Sequence, residues 1–274
     1  MRMVGHPRSA AFFDLDKTII ARSSTFAFSR PFYAGGLITR SAVLRSAYAH
    51  FLYLAGGADH DQMERMRAYL SDLVAGWDVQ QVRDIVRETL EELIQPLVFH
   101  EATALIADHH AAGREVVIVS SSGAEVVVPI GEMLGADRVI ATRMVVADGR
   151  YTGEIEFYAY AENKATAIRE LATASGYDLA ECYAYSDSVT DLPMLEAVGH
   201  PTAVNPDRAL RREAGSRGWP VRDFSQPVRL RTRMVGQVQR VPAPTPPVMA
   251  VALGAGAATA GLIWYATRRR DRSA

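Results

Sequence analysis

The chain has 274 residues, 49% of them apolar and 22% charged, with a formal net charge of −1 at pH 7. That length suits one large domain or a core carrying an inserted subdomain, and the balanced charge excludes a general nucleic-acid binder. A single cysteine, Cys182, excludes a disulfide framework and a zinc cluster.

The basic N-terminus is followed by only a short apolar stretch, which runs straight into Asp14, so it does not read as a signal peptide. Residues 11–16 read as the first strand. From 25 to 100 the pattern is helical: Met63, Met66, Leu70, Leu73 and Val74 recur at helix spacing, as do Val79, Val82, Ile85, Val86, Leu90, Leu93 and Ile94. Asp78 is a natural N-cap with Gln81 as its capping-box partner, and Pro96 ends the run. This block is expected to be an inserted helical cap over residues 25–100. Its first part carries Phe26, Phe28, Phe32, Tyr33, Tyr48, Phe51 and Tyr53, which suit the cap's own core or an apolar entrance.

A helix over 101–112 then stops at Gly113. A buried-type strand over 115–120 runs into Ser121-Ser122-Gly123. Strands over 139–144 and 151–156 flank Asp148-Gly149, a hairpin signal. A helix over 163–175 ends at Gly176. Next come a strand over 181–185, with Cys182 as a core residue in a reducing cytoplasm, a Ser/Asp loop, a helix over 192–198 and a strand over 202–205. Alternating strands and helices predict an α/β, doubly wound, mostly parallel sheet, with core segments 8–24 and 101–222.

The tail has a different composition. Residues 223–247 read as a linker, with Arg229, Arg231, Arg233 and Arg240 followed by Pro242, Pro244, Pro246 and Pro247. Residues 248–267 hold no charge and precede Arg268, Arg269 and Arg270. Their length fits a transmembrane helix, and Ala250, Gly254 and Ala258 have the spacing of a helix-pairing face. The alternative is a flexible Ala/Gly tail. Arginines on both sides leave the topology open; the expectation is a cytoplasmic catalytic domain anchored to the cell membrane.

Four places carry the chemistry. Asp14 and Asp16 end the first strand one residue apart, where a carboxylate pair suits a nucleophile beside an acid/base and a shared divalent cation. Ser120 ends a second buried strand, where its hydroxyl and free N–H groups can hold a phosphate oxygen. Lys164 stands in the first turn of a helix, a place that disfavours cations and therefore wants an anion. Asp187 and Asp191 follow a third apolar strand; an N-cap role would explain Asp191 but not Asp187.

The segments Asp14-Leu15-Asp16-Lys17-Thr18, Ile118-Val119-Ser120-Ser121-Ser122-Gly123, Asn163-Lys164-Ala165 and Ser186-Asp187-Ser188-Val189-Thr190-Asp191, in that order, resemble the four motifs of the haloacid dehalogenase-like (HAD) superfamily. The hairpin with its Asp-Gly turn looks like that of subfamily IB, the phosphoserine-phosphatase-like branch. The resemblance covers about residues 8–215. It implies a HAD-like Rossmannoid core and a Mg²⁺-dependent phosphatase. Asp14 would be the nucleophile and Asp16 the acid/base. Thr18, Ser120, Ser121 and Lys164 would serve the phosphoryl group. Asp14, Asp16 and Asp187 would bind the metal, with Asp191 and Thr190 in support.

Two departures bear on substrate. Phosphoserine phosphatases carry a glutamate near the place of Ser23, and an asparagine where Thr190 stands. A carboxylate to pair with a substrate ammonium is therefore missing from the Ala21–Thr25 loop. The expected substrate is a soluble metabolite phosphate or a lipid phosphate, the membrane tail being what motivates the second. A membrane-anchored binding or scaffold protein on the same fold, or a phosphotransferase using the same aspartyl phosphate, are the alternatives.

Overall fold

The computed structural model describes residues 8–38, 68 and 71–225. These belong to one compact unit, Met1–Leu230. The middle of the expected cap, with Tyr48, Phe51, Tyr53, Met63, Met66 and Leu70, lies outside the described residues. So do most of the expected linker and the expected transmembrane stretch 248–267. Among the described residues, no helix is long and apolar enough to cross a membrane.

Seven strands form one sheet in the order β4-β3-β2-β1-β5-β6-β7. They are β1 (Ala10–Phe13), β2 (Glu115–Gly123), β3 (Arg138–Ala147), β4 (Arg150–Phe157), β5 (Tyr183–Ser186), β6 (His200–Val204) and β7 (Val221–Arg222). Every pairing is parallel except β3 with β4. β1 lies between β2 and β5, and its four residues are at most 1% exposed. A strand covered on both faces must be apolar throughout, which explains the unbroken Ala-Ala-Phe-Phe run.

The two-residue period of the strands sorts their side chains onto two faces. Ala11, Phe13, Val116 and Ile118 join one apolar cluster, and Ala10, Phe12, Val117 and Val119 the other. The described helices are α1 (Ser24–Ala27), α2 (Ser29–Ala34), α3 (Val79–Ile94), α4 (His100–Ala111), α5 (Ala124–Leu134), α6 (Glu162–Ser175), α7 (Leu192–Glu196) and α8 (Arg208–Arg217). The first face is covered from α3, α4 and α5, through residues such as Ile94, Ile106 and Ile130. The second is covered from α6, α7 and α8, through Ile168, Leu195 and Leu210. Helices on both faces make this a doubly wound α/β fold.

The described parts of the 25–100 segment are helical at both ends, and Phe28, Phe32, Val79, Val82 and Val86 share the first apolar cluster with the sheet. Asp78 caps α3 by accepting from the N–H of Gln81 at 3.0 Å. The reciprocal half of the expected box does not form, because the Gln81 side chain donates to the carbonyl of Gly35. The β3–β4 hairpin turns through Asp148 and Gly149 at φ 49° and 75°, two left-handed residues as a tight hairpin requires. Its turn end docks on residues 76–79 through backbone bonds of Gly76 N–H to Tyr151, Tyr151 N–H to Trp77 and Val79 N–H to Gly149, 2.8–3.1 Å long.

β1, β2 and β3 step outward in one direction, and β5, β6 and β7 in the other. The order reverses between β1 and β5. In open α/β sheets the crevice beyond the carboxyl ends of strands at such a reversal is where ligands bind.

Candidate active site

Asp14 follows β1, and its N–H donates to the carbonyl of Tyr185 at 2.9 Å. This parallel bond brings the end of β1 against the end of β5, where Asp187 follows Ser186. On the other side, Phe13 is level with Ile118, so Ser120 lies in β2 just beyond the end of β1, beside the same edge. The chain then turns sharply after Asp16. Ile19 and Ile20 both donate to the Leu15 carbonyl, and Lys17 takes a left-handed φ of 60°. A non-glycine residue held there is a local strain of the kind found at functional sites.

Lys164, in the first turn of α6, is 2% exposed. Its Nζ donates to Asp14 Oδ1 at 2.7 Å and to Asp191 Oδ2 at 2.8 Å. Burial alone works against the ammonium, but the two carboxylates outweigh it and hold the pKa above its ordinary value. Asp191 has a third partner in the Ser186 hydroxyl, at 2.7 Å. It stands at the N-cap position of α7 but makes no side-chain cap bond there, because its carboxylate is committed to Lys164 and Ser186. The other oxygen of Asp14 lies 3.4 Å from the buried Thr18 hydroxyl.

Burial pushes Asp14 well above the usual carboxylate range, and the charges of Asp191 and Asp187 push the same way against Lys164. Asp187 is pushed up to about 7, mainly by burial, with the nearby Lys17 opposing. The Asp187 loop is tied down by α8, since Asp207 N–H donates to the Asp187 carbonyl at 2.7 Å and Val189 N–H to the Asp207 carboxylate at 3.0 Å.

Asp16 has different company. Its Oδ1 accepts from the Ser24 N–H at 2.8 Å, while the Ser23 and Ser122 hydroxyls lie 3.5 and 3.4 Å from Oδ2. Burial raises its pKa and these neutral donors only partly offset the rise. The two aspartates thus sit in contrasting settings, one ion-paired and one held by neutral donors.

Asp14, Asp16, Asp187 and Asp191 face one buried ammonium, and Lys17, 3.9 Å from Asp187, is mostly exposed. The excess of carboxylate charge suits a divalent cation. Among the described residues no three His, Cys, Asp or Glu side chains gather as a metal cage. The residues that would hold the cation are Asp14 and Asp187 through their carboxylates and Asp16 through its backbone carbonyl. Such a set of hard oxygens, completed by water, is what Mg²⁺ accepts.

Of the remaining residues expected here, Ser120 is buried and its hydroxyl accepts from the Ser122 N–H at 3.2 Å. Ser121 is exposed, and its carbonyl accepts from Thr142 on β3. Thr190 is half-buried and its hydroxyl pairs with that of Ser188 at 3.0 Å. Sequence reasoning missed Ser24, Ser122 and Ser186. The signal for Ser122 was available: in a strand, residues two apart share a face, so Ser122 and not Ser121 accompanies Ser120.

A mostly parallel sheet with a buried carboxylate at the end of its central strand, a buried lysine bonded to it and a second acidic loop defines an α/β protein with an acidic site at its strand ends. The family model for haloacid dehalogenase-like hydrolase matches residues 11–196. The chain is 69% identical to the inhibition of morphological differentiation protein of Streptomyces azureus, over 96% of this chain and 95% of that one. It is 60% identical to a probable phosphatase of Mycobacterium tuberculosis, over 96% and 90%. A crystal structure of a protein of unknown function from Bordetella pertussis Tohama I superposes with a TM-score of 0.70 at 31% identity, covering 79% of this chain and 98% of that one. A phospho-aspartyl intermediate analogue of phosphoserine phosphatase shares the fold, with a TM-score of 0.58 at 19% identity, over 80% and 94%. The chain belongs to the haloacid dehalogenase-like hydrolases and is a phosphatase of that family.

Proposed function

We propose that the protein is a Mg²⁺-dependent phosphomonoester hydrolase that works through an aspartyl phosphate on Asp14. The observation that carries this is the division of labour between Asp14, bonded to Lys164 at 2.7 Å, and Asp16, surrounded by neutral donors. Two carboxylates whose surroundings differ in this way can act as nucleophile and acid in one site.

In the first step an Asp14 oxygen attacks phosphorus, the bond to the ester oxygen breaks, and Asp16 gives its proton to the departing alkoxide. In the second, the Asp16 carboxylate takes a proton from water, the water oxygen attacks the same phosphorus, and Asp14 leaves as a carboxylate with inorganic phosphate. Lys164 and Ser120 hold phosphoryl oxygens, Thr18 contributes from the loop after β1 and Ser121 through its backbone N–H in β2, and Thr190 supports the turn that presents Asp187. Asp191 keeps the Lys164 ammonium aimed at Asp14. Mg²⁺, held by Asp14, Asp187 and the Asp16 carbonyl, would neutralise charge on the transferring phosphoryl group.

The 25–100 segment serves as the cap that excludes water. Its loop beside Asp16 offers the hydroxyls of Ser23 and Ser24 rather than an acid, which argues against an amino-acid ammonium as the feature recognised there. The uncharged stretch 248–267 with its following arginines supports anchoring at a membrane, and with it a lipid phosphate alongside soluble metabolite phosphates as substrate. The test is phosphate release from the full chain across a panel of soluble and lipid phosphomonoesters, with Mg²⁺ or EDTA. Mg²⁺-dependent turnover is expected, and the ranking of substrates separates metabolite from lipid. Equal release with and without Mg²⁺ would overturn the metal assignment.

A further inference from the structure

Ser122 sits where three parts of the molecule meet. It is 8% exposed, and its Oγ lies 3.4 Å from Asp16 Oδ2, 3.0 Å from Ser24 Oγ and 3.2 Å from Thr25 Oγ1. Its N–H is committed to Ser120 Oγ. A serine hydroxyl has one proton to give and two lone pairs to receive with. A carboxylate accepts only, so when Asp16 is ionised the Ser122 proton points to Asp16. Ser24 and Thr25 then donate into the two lone pairs, and every hydrogen-bonding capacity of the Ser122 hydroxyl is used. Hydrogen bonds chained in this sense polarise one another and fix orientation more firmly than one alone.

The remaining donors to Asp16, Ser23 Oγ and Ser24 N–H, come from the segment that leads into the cap. Ser122 is the donor supplied by the sheet, at the end of β2. The Asp16 carboxylate is thereby held between two bodies, and its direction depends on both.

We infer that Ser122 is a positioning residue for Asp16, aiming the acid/base carboxylate at the leaving oxygen through a hydroxyl chain that starts on Ser24 and Thr25 of α1. The inference rests on the acid/base role given to Asp16 above. It has a consequence that a merely structural serine would not have. An acid that is misaimed slows departure of a poor leaving group and matters little for a good one, because a good leaving group needs no proton.

The experiment compares phenyl phosphate with p-nitrophenyl phosphate, which differ little in shape and greatly in leaving-group basicity. Values of kcat/KM for the full chain with Mg²⁺ report the step that breaks the ester bond. Ser122→Ala is expected to lose about tenfold on phenyl phosphate and less than about threefold on p-nitrophenyl phosphate. Ser122→Thr, which keeps the hydroxyl, is expected to restore most of the loss. Ser24→Ala, which removes one donor to Ser122, is expected to show the same selective pattern at about threefold, and stands in if Ser122→Ala fails to fold. Equal losses on both substrates, or none on phenyl phosphate, would overturn the positioning role and leave the phosphatase reading intact. A wild type that hydrolyses neither ester would overturn that reading and this inference with it.

Discussion

Asp14 is a carboxyl group whose charged form the fold disfavours. Its pKa stands well above its ordinary value of 3.8 because burial and the charges of Asp191 and Asp187 together outweigh Lys164. A carboxyl group whose folded pKa is raised binds its proton more tightly in the native state, so its contribution to stability falls as pH rises above 3.8. At neutral pH, removing that charge should relieve the fold. Asp14→Asn keeps the volume and can still accept from Lys164. In metal-free buffer at pH 7 it is expected to be at least as stable as wild type while losing phosphate release, the usual trade between stability and function. Denaturant unfolding of both proteins checks this, and a variant clearly less stable than wild type would contradict it. At this scale the sequence was most legible where residue type alone carried the message. Two aspartates at a strand end and a lysine at a helix start have few uses unless they share a ligand. It was least legible for Ser24, Ser122 and Ser186, whose hydroxyls gain meaning only from what the fold places beside them.

The α4 helix carries a second buried ionisable group, away from the reacting atoms. His109 is 2% exposed. Arg114 Nε donates to its Nδ1 at 2.8 Å, which makes that nitrogen the acceptor and leaves the proton on Nε2, 2.8 Å from the Tyr185 hydroxyl. Protonating Nδ1 would set it against the guanidinium. Burial and that repulsion bring the His109 pKa from 6.5 down to about 4. Phe13 stacks on Tyr185 at 4.5 Å, so this contact supports the strand ends that carry Asp14 and Asp187. The unfolded chain binds more protons than the folded one between these two pKa values. Stability is therefore full above pH 6.5 and is lost as pH falls toward 4. His109→Gln should flatten that slope, removing about 2 kcal/mol of the wild-type loss between pH 7 and pH 5, as read by denaturant unfolding at the two pH values. The same slope in both proteins would contradict the assignment.

Elements were legible in the sequence to the extent that pattern and punctuation agreed. The helices ending at Gly113 and Gly176 and the Asp148-Gly149 hairpin lie where glycine and period place them. Helix α5 was not foreseen, because β-branched Val126, Val127 and Val128 are weak helix formers and Pro129 lies inside the helix. Packing decided it: Val126, Val127 and Ile130 join the first apolar cluster. Strand β7, two residues long, has no pattern to detect.

At the scale of the whole molecule, the expectation of a mostly parallel sheet agrees with the fold, but the strand order could not be read from a list of elements. It follows from two crossovers away from β1 in opposite directions, and that reversal opens the crevice between β1 and β5. The arrangement places Asp14 and Asp187 on its two sides, with Ser120 one strand away and Lys164 reaching in from α6. Four segments, with Asp14 and Lys164 alone 150 residues apart, thus meet because strand ends at one edge of a parallel sheet are neighbours in space.

The central claim is covalent, so the most direct measurement is covalent. Full-length enzyme turning over a phosphomonoester with Mg²⁺ is quenched in acid, digested and analysed by mass spectrometry. The account predicts one added phosphoryl group on the peptide that contains Asp14, discharged by hydroxylamine and missing from Asp14→Asn. Turnover with no phosphoryl group on that peptide, or with the group on another residue, would contradict it.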